Sequence, residues 1–237
     1  MADMKAWQLA TPGEVQNTLK LTTVARPAPT LKPSEIQVRV ISAAINPADH
    51  KVPAMGFGAR AILPFPKTVG MDLSGEVVSA GSAVTDVLVG DRVMARLSPL
   101  RQPGSLSEYV TVPRDGLIAD NVGCDPPGLY ARAAGRVLLP EGVFVIVAAG
   151  RHIGHAAAAV ATLLRPSFLG GGRNKVVLYM ASNDRDDWAA LAQWVNEGKL
   201  TAVIDKTFAF DDAREAFEHL QTGSARGKVV VHVSSRD

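Results

Sequence analysis

Hydrophobic and polar residues alternate in short runs along the first half of the chain. In EIQVRV (35–40), isoleucine and valine alternate with glutamate, glutamine and arginine, and the alternation loosens at Ile41 and Ser42. Glycine, proline, aspartate and serine separate this run from its neighbours. Because alternation with a period of two is typical of half-buried strands, these runs predict a β-barrel or sandwich of short strands.

The pattern changes near residue 119. The segments 142–150 (GVFVIVAAG) and 175–181 (KVVLYMA) are continuous apolar runs, which are typical of parallel strands buried on both faces. The segments 184–200 and 211–223 repeat apolar residues with helical spacing, and each has a glycine near its end. That spacing predicts two helices with one apolar face each. The chain is therefore predicted to be a mixed α/β protein.

Composition narrows the class of protein. Of the 237 residues, 47% are hydrophobic and 20% are charged, with a formal net charge of +2, which is typical of a globular domain. No charge cluster favours nucleic acid, and no apolar run reaches the ~20 residues that span a bilayer. The single cysteine, Cys124, excludes an internal disulfide framework. We expect a cytoplasmic protein with neither a nucleic-acid nor a membrane partner.

Four segments together resemble the medium-chain dehydrogenase/reductase superfamily, in particular its zinc-independent quinone oxidoreductase branch and fungal trans-acting enoyl reductases. They are EIQVRVISAAINPADHK (35–51), TVGMDLSGEVVSAGSAVTDVLVGDRVMA (68–95), GSLSEYVTVP (104–113) and the C-terminal stretch 191–233. The resemblance implies a GroES-like β-barrel domain plus a truncated half-Rossmann parallel sheet with helices.

The resemblance divides the chain into three parts. Residues 1–118 correspond to the barrel domain, 119–200 to a truncated Rossmann-like remnant, and 201–237 to a C-terminal segment that returns to the barrel domain. The family's first three Rossmann strands and its glycine-rich phosphate turn have no counterpart at the junction between Ile118 and Ala119. We therefore expect no bound cofactor. Because family members commonly pair through their sixth strands, the resemblance also implies a homodimer.

Zinc is not expected either. The positions that match the family's catalytic zinc ligands hold Asn46 and the segment GMD (70–72). The sequence has one cysteine and five dispersed histidines, and zinc sites in proteins need a cluster of such ligands. His152 and His155 are three residues apart, as in an ordinary helix start.

The segment NPADHK (46–51) supplies the first candidate site residues, because it borders the substrate in relatives. Asn46 is expected to cap a short helix. His50 is the candidate general acid or base, and Lys51 or Asn46 could polarise a carbonyl group. Asp49 completes this catalytic set. The alternative interpretation of the segment is a helix cap followed by surface charges.

A second set of residues is expected to contact the substrate. Asp72 lies near the cleft floor, where it could equally hold a turn. Tyr109 is either a phenol in the cleft or a packing residue on its strand. Arg151 and His152 follow the carboxyl end of a strand, where α/β proteins usually bind ligands.

Three functions remain open at this stage. The first is a cofactor-independent enzyme, an isomerase, a cyclase (including a pericyclase) or a dehydratase, acting on an apolar polyketide-like small molecule. The second is an NADPH-dependent enoyl or quinone reductase. The third is a non-catalytic pseudoenzyme that binds a ligand or partner.

Overall fold

The computed structural model of the chain describes a defined set of residues: 2–114, 143–146, 175–178 and 185–234. The chain divides into two compact units. One comprises Met1–Ala119 with Asn183–Asp237, and the other comprises Asp120–Ser182.

The first unit is built from short strands and a few helices. Its strands are β1 (Asp3–Leu9), β2 (Leu19–Ala25), β3 (Glu35–Ile45), β4 (Lys67–Thr68), β5 (Asp72–Ala80), β6 (Arg92–Arg96), β7 (Tyr109–Pro113), β10 (Ile204–Ala209) and β11 (Lys228–His232). Its α-helices are α1 (Val15–Thr18), α2 (Pro47–Lys51), α3 (Arg185–Asn196) and α4 (Ala213–Gln221). Two 3₁₀ segments follow at Pro53–Ala61 and Phe210–Asp212.

Strand β3 is the hub of the larger sheet, which has the order β10-β11-β3-β5-β6. One side of β3 pairs along its length with β5. The other side is shared, because β7 covers the first half of β3 and β11 covers the second half. A smaller sheet has the order β2-β1-β4. The C-terminal strand thus completes the sheet that the N-terminal segment begins.

A β-bulge divides β3 into halves that face the core in opposite phase. Val38 and Val40 are buried before the bulge, and Ala43 and Ile45 are buried after it. The register against β5 shifts between Val40 and Ser42, where the sequence alternation loosens. The extra residue at the bulge exchanges the faces of the sheet to which odd-numbered and even-numbered side chains point. Ser42 therefore lies on the outer face, whereas the even-numbered residues Val38 and Val40 face the core.

Helix α4 closes one end of the core. Its residues Ala213, Ala216 and Phe217 are buried, which confirms the predicted apolar face. The helix packs against α1, β10 and β11. The indole Nε1 of Trp7 donates a 2.7 Å hydrogen bond to the carbonyl of Phe210 just before α4. The predicted helix over 184–200 is present as α3, but Leu191 and Val195 on its predicted apolar face are exposed.

Position 70 requires glycine because its backbone lies very close to Ser105 and Leu106. Its φ of +92° lies in the left-handed region, and a Cβ atom there would lie 2.3 Å from the Ser105 hydroxyl. Because a larger residue would meet both strain and a clash, the backbone before Asp72 is held tightly against the Gly104–Leu106 segment.

The second unit contains β8 (Val143–Ile146) and β9 (Lys175–Leu178), which pair in parallel. This confirms the mixed α/β class and the parallel pairing predicted for the two apolar runs. Within the described part of the chain, no helix is both long enough and apolar enough to cross a membrane.

Candidate active site

A cavity of about 520 Å³ lies against the outer face of the larger sheet, and the described residues that line it belong to the first unit. Its wall is mainly apolar, with polar side chains at intervals. The lining residues are Ile36, Ser42, Ala44, Asp72, Leu73, Ser74, Val87, Val93, Met94, Ala95, Arg96, Val112, Pro113, Arg114, Ala202, Lys228 and Val230. Concave apolar sites with a few polar groups are the usual form of small-molecule sites.

Three side chains form a hydrogen-bonded cluster at the wall of this cavity: Asp72 on β5, Lys228 on β11 and Asn46 at the N-cap of α2. Lys228 Nζ donates to Asn46 Oδ1 at 2.5 Å and to Asp72 Oδ2 at 3.0 Å. Asn46 Nδ2 also donates to Asp72 Oδ2, at 2.8 Å. Because the amide of Asn46 both accepts and donates here, its orientation is fixed by its neighbours. Asn46 and Asp72, both predicted site residues, are therefore brought together.

A second cation lies near the carboxylate of Asp72. Arg96 Nε is 3.6 Å from Asp72 Oδ1. The side chains of Asp72 and Lys228 are 27% and 39% exposed, and the cluster is therefore open to a ligand. Lysine and arginine side chains at a cavity wall can donate charge-assisted hydrogen bonds to an anionic group.

Asp49 supports this cluster from behind. Its Oδ2 accepts a 2.8 Å hydrogen bond from the backbone N–H of Asn46, as part of a capping box at the start of α2. Asp49 is buried, and burial raises the pKa of its carboxyl group to about 6, with the negative charge of Asp72 adding to the rise. The predicted cap at Asn46 is thus confirmed, and Asp49 contacts the backbone of Asn46.

Lys67 is a second buried ionisable group near Asp49. Its Nζ donates to the carbonyl of Arg101 at 3.3 Å. Burial lowers the pKa of its ammonium group to about 8, although attraction to Asp49 opposes this change. Lys67 is not among the residues that line the cavity. Its position makes it a structural neighbour of Asp49.

His50 and Lys51 do not line the cavity, although both are on α2. His50 is buried, and its Nδ1 lies 3.3 Å from Nε2 of Gln221 on α4. The structure therefore separates these two residues from the cluster that contains Asn46 and Asp72. Their predicted catalytic roles stay predictions.

Tyr109 is not among the described residues that line the cavity. Tyr109 holds the guanidinium of Arg26 3.5 Å above its ring, a packing contact of the kind weighed for it. Arg151 and His152 lie outside the described residues, as does Cys124.

Sequence reasoning missed Lys228 and Arg96. Lys228 is the first residue of β11, 182 positions from its partner Asn46. The register of β11 against β3 places the two side by side, since Val229 pairs with Ile45. Only the pairing of β11 with β3 reveals that Lys228 lies beside Asn46. No local sequence motif predicts this contact.

The described residues offer no metal centre. Among them, no group of three or more His, Cys, Asp and Glu side chains is placed to hold a metal ion. The cluster itself contains a lysine, an arginine and an amide beside one carboxylate, which is unsuited to zinc.

Family models match both parts of the chain. Residues 32–121 match the alcohol dehydrogenase GroES-like domain, and residues 113–231 match the zinc-binding dehydrogenase family. The quinone oxidoreductase from Coxiella burnetii has the same fold, with a TM-score of 0.68 and 21% identity over 98% of this chain and 100% of that chain. These matches confirm the predicted fold class.

Two curated relatives are similar in sequence. The trans-enoyl reductase pgmF from Aspergillus terreus is 25% identical over 348 aligned residues, covering 97% of this chain and 96% of the relative. That length exceeds the 237 residues of this chain, so part of the relative has no counterpart here. The NADPH-dependent alkenal/one oxidoreductase of Arabidopsis thaliana is 36% identical over 144 residues, covering 59% of this chain and 36% of the relative.

These findings correct one prediction. The expectation of a protein without a cofactor is wrong, because the family that matches is one of dehydrogenases and the relatives include an NADPH-dependent enzyme. The prediction rested on the first three Rossmann strands and the glycine-rich turn, which have no counterpart in this sequence. The chain belongs to the medium-chain dehydrogenase/reductase superfamily, as a relative of its quinone oxidoreductases and trans-enoyl reductases.

Proposed function

We propose that the chain is an NADPH-dependent reductase of activated carbon–carbon double bonds in apolar small molecules, such as enals, enones or enoyl thioesters. The observation that carries the proposal is the cluster of Lys228 and Arg96 around the single carboxylate of Asp72, at the wall of an apolar cavity. Two relatives named above reduce substrates of this kind.

The cluster fits the anionic part of a nicotinamide cofactor. Lys228 carries three N–H donors, and Asn46 and Asp72 accept two of the hydrogen bonds it makes. Arg96 adds a second cation that does not lose its charge near neutral pH. Lys228 and Arg96 are the residues that would hold a phosphate group, and NADPH would supply the hydride for the reduction.

The apolar wall fits the substrate. Val87, Val93, Met94 and Val230 line the cavity together, and Met94 is largely exposed there. Burying such side chains against an apolar ligand contributes roughly 25 cal/mol for each Å² removed from water. The wall also excludes water from the reacting carbons, which strengthens the electrostatic interactions of the polar groups nearby.

Asn46 has a positioning role in this proposal. Its amide holds Lys228 and Asp72 together, and its backbone is held by Asp49. The ammonium group of Lys228 is thereby kept at the cavity wall before any ligand arrives. Preorganised donors bind an anion without the cost of rearrangement.

The proposal is tested by titrating NADPH into the purified protein and following nicotinamide fluorescence. Oxidation of NADPH is then followed at saturating cofactor with trans-2-hexenal and trans-3-decen-2-one. Lys228→Met should raise the Kd for NADPH about 10-fold, the usual value of one charge-assisted contact. Lys199→Met is the matched control, because Lys199 pairs with Glu197 on the surface and is 70% exposed.

Two results would contradict the proposal. One is the absence of saturable NADPH binding by the wild-type protein. The other is saturable binding without oxidation of NADPH by either unsaturated carbonyl compound, which would favour a ligand-binding protein. Equal NADPH affinity in Lys228→Met and in the control would contradict the assignment of the phosphate site.

A further inference from the structure

A serine–histidine pair lies on the cavity face of the sheet, apart from the cluster around Asp72. Ser42 Oγ on β3 lies 2.9 Å from Nδ1 of His232 on β11. The two residues are directly opposite in the strand register. Ser42 lines the cavity, and His232 is exposed to solvent. The pair therefore connects a hydroxyl group in the cavity to an imidazole in water.

The bulge in β3 creates this arrangement. Without the reversal of phase after Val40, Ser42 would point into the core with the other even-numbered residues. With it, the Ser42 hydroxyl lies on the same face as the alternate residues Lys228, Val230 and His232 of β11. Bulges next to active sites often redirect a side chain in this way.

The proposed reduction needs a proton as well as a hydride. Hydride adds to one carbon of the double bond, and the other carbon must take a proton. The arginines at the cavity wall do not release protons near neutral pH. Lys228 and Asp72 are hydrogen-bonded to each other and to Asn46. Ser42 has an exchangeable proton and a partner that can replace it.

We propose that Ser42 delivers this proton and that His232 replenishes it from solvent. The assignment rests on the proposed reductase function. The Ser42 hydroxyl gives its proton to the carbon next to the carbonyl group, the Nδ1–H of the His232 imidazolium returns a proton to Ser42 Oγ, and the neutral imidazole takes a new proton from solvent. One hydride and one solvent proton are consumed in each turnover. Ser42 is the catalytic residue of this pair, and His232 acts through it.

The surroundings of His232 suit this role. Its neighbours in the strand register are Ser42 on β3 and Ala209 on β10, neither of which is ionisable. Among the described residues, those that line the cavity and carry a charge are Asp72, Arg96, Arg114 and Lys228, of which Arg114 pairs with Asp86. Imidazole is the side chain that ordinarily gains and loses a proton between pH 5 and 8, as a relay at neutral pH requires.

The first experiment compares reduction of trans-3-decen-2-one by wild type, Ser42→Ala, Ser42→Thr and His232→Gln. Ser42→Ala and His232→Gln should lower kcat about 100-fold, the scale of general acid catalysis, with little change in the Kd for NADPH. Ser42→Thr keeps the hydroxyl group and should recover most of the rate. His219→Gln is the control, because His219 pairs with Asp205 instead of a cavity residue.

Two further measurements separate proton transfer from packing. The pH profile of kcat should differ in shape between wild type and His232→Gln, because the variant lacks the relay. In D₂O and without cofactor, wild type should exchange the α-hydrogens of decan-2-one for deuterium, whereas Ser42→Ala should not. A packing defect would change neither the shape of the pH profile nor the dependence of exchange on the hydroxyl group.

The outcomes distinguish the relay from the reductase. Wild-type and Ser42→Ala enzymes with equal kcat and equal exchange would overturn the relay and leave the reductase intact. Exchange that requires both Ser42 and His232, in a protein that never oxidises NADPH, would support the relay and reject the reductase. A wild type with neither reduction nor exchange above the buffer rate would reject both.

Discussion

Asp49 and Asp72 lie on either side of Asn46, and each is accompanied by a lysine, yet the two acids are placed in different surroundings. Asp49 and Lys67 are buried, at 8% and 5% exposure. Burial raises the pKa of Asp49 to about 6 and lowers that of Lys67 to about 8. Asp72 and Lys228 are in direct contact at 3.0 Å at the wall of an open cavity.

The comparison separates a structural role from a binding role. Removing the buried pair from water costs free energy, and only tight local hydrogen bonds offset that cost. The pair at the cavity wall keeps part of its hydration and can exchange one partner for a ligand at small cost. We therefore expect changes at Asp49 and Lys67 to alter stability, and changes at Asp72 and Lys228 to alter binding.

The largest expected effect on stability comes from Asp49→Asn. In wild type, the folded protein keeps the Asp49 proton up to about pH 6, whereas the unfolded chain loses it near 3.8. The free energy of unfolding should therefore fall as pH rises from about 4 to 6. The amide can still accept the Asn46 N–H but carries no charge, so Asn should remove this fall and stabilise the protein by about 3 kcal/mol at pH 7.

Urea unfolding at pH 4 and pH 7 measures this change. The two proteins should differ by less than about 1 kcal/mol at pH 4, where Asp49 is neutral in the folded wild type and about half ionised in the unfolded chain. Asp211→Asn is the control, because Asp211 is exposed. A variant that is less stable than wild type at pH 7 would mean that the Asp49 charge stabilises the fold.

A smaller effect is expected from Lys67→Met, in the alkaline range. The folded protein releases the Lys67 proton near pH 8, whereas the unfolded chain holds it to 10.5. Since the unfolded state then binds more protons, stability should rise with pH above 8, by about 2 kcal/mol at pH 9.5. Methionine has no proton to lose, so the variant should lack this rise relative to wild type.

Unfolding midpoints at pH 7.5 and 9.5 test this prediction, with the exposed Lys199→Met as the control. Comparing the double variant Asp49→Asn/Lys67→Met with the two single variants measures the interaction energy between the two groups. If Lys67→Met and wild type gain stability equally between these pH values, Lys67 is hydrated in solution and the contrast with Lys228 fails.

The sequence predicts the fold well where structure depends on neighbouring residues. Alternation over 35–40 predicts a strand, its loosening marks the bulge at Ser42, and the cap at Asn46 lies at the start of a helix. The resemblance adds the family. The parallel pair β8–β9 agrees with the Rossmann-like remnant, while the predicted domain boundaries, the missing half-sheet and the homodimer stay predictions.

The site was harder to predict because its residues meet through strand pairing. Asn46 and Asp72 were chosen for their place in the family motifs, whereas Lys228 joins them only through the register of β11 on β3. His50 was chosen by the same motif and is buried beside Gln221, because the helix turns it away from the cavity. The cofactor prediction rested on the missing strands and glycine-rich turn, and the dehydrogenase family and the NADPH-dependent relative overturn it.

The smallest effect links the two pairs. Burial is the main cause of the raised pKa of Asp49, and the charge of Asp72 adds to it. Asp72→Asn should therefore lower the pKa of Asp49 and move the acid part of the stability profile to lower pH. The total stability at pH 7 should change by less than about 1 kcal/mol, because Asp72 is partly hydrated.

Glu76→Gln is a matched control on the same strand, where Glu76 pairs with Arg39 at 2.8 Å. Carbon-13 NMR titration of the Asp49 carboxyl group measures the change directly. An Asp49 titration that moves equally in both variants would mean that the two pairs act independently, and that the cavity cluster can bind an anion without any effect on the buried acid behind it.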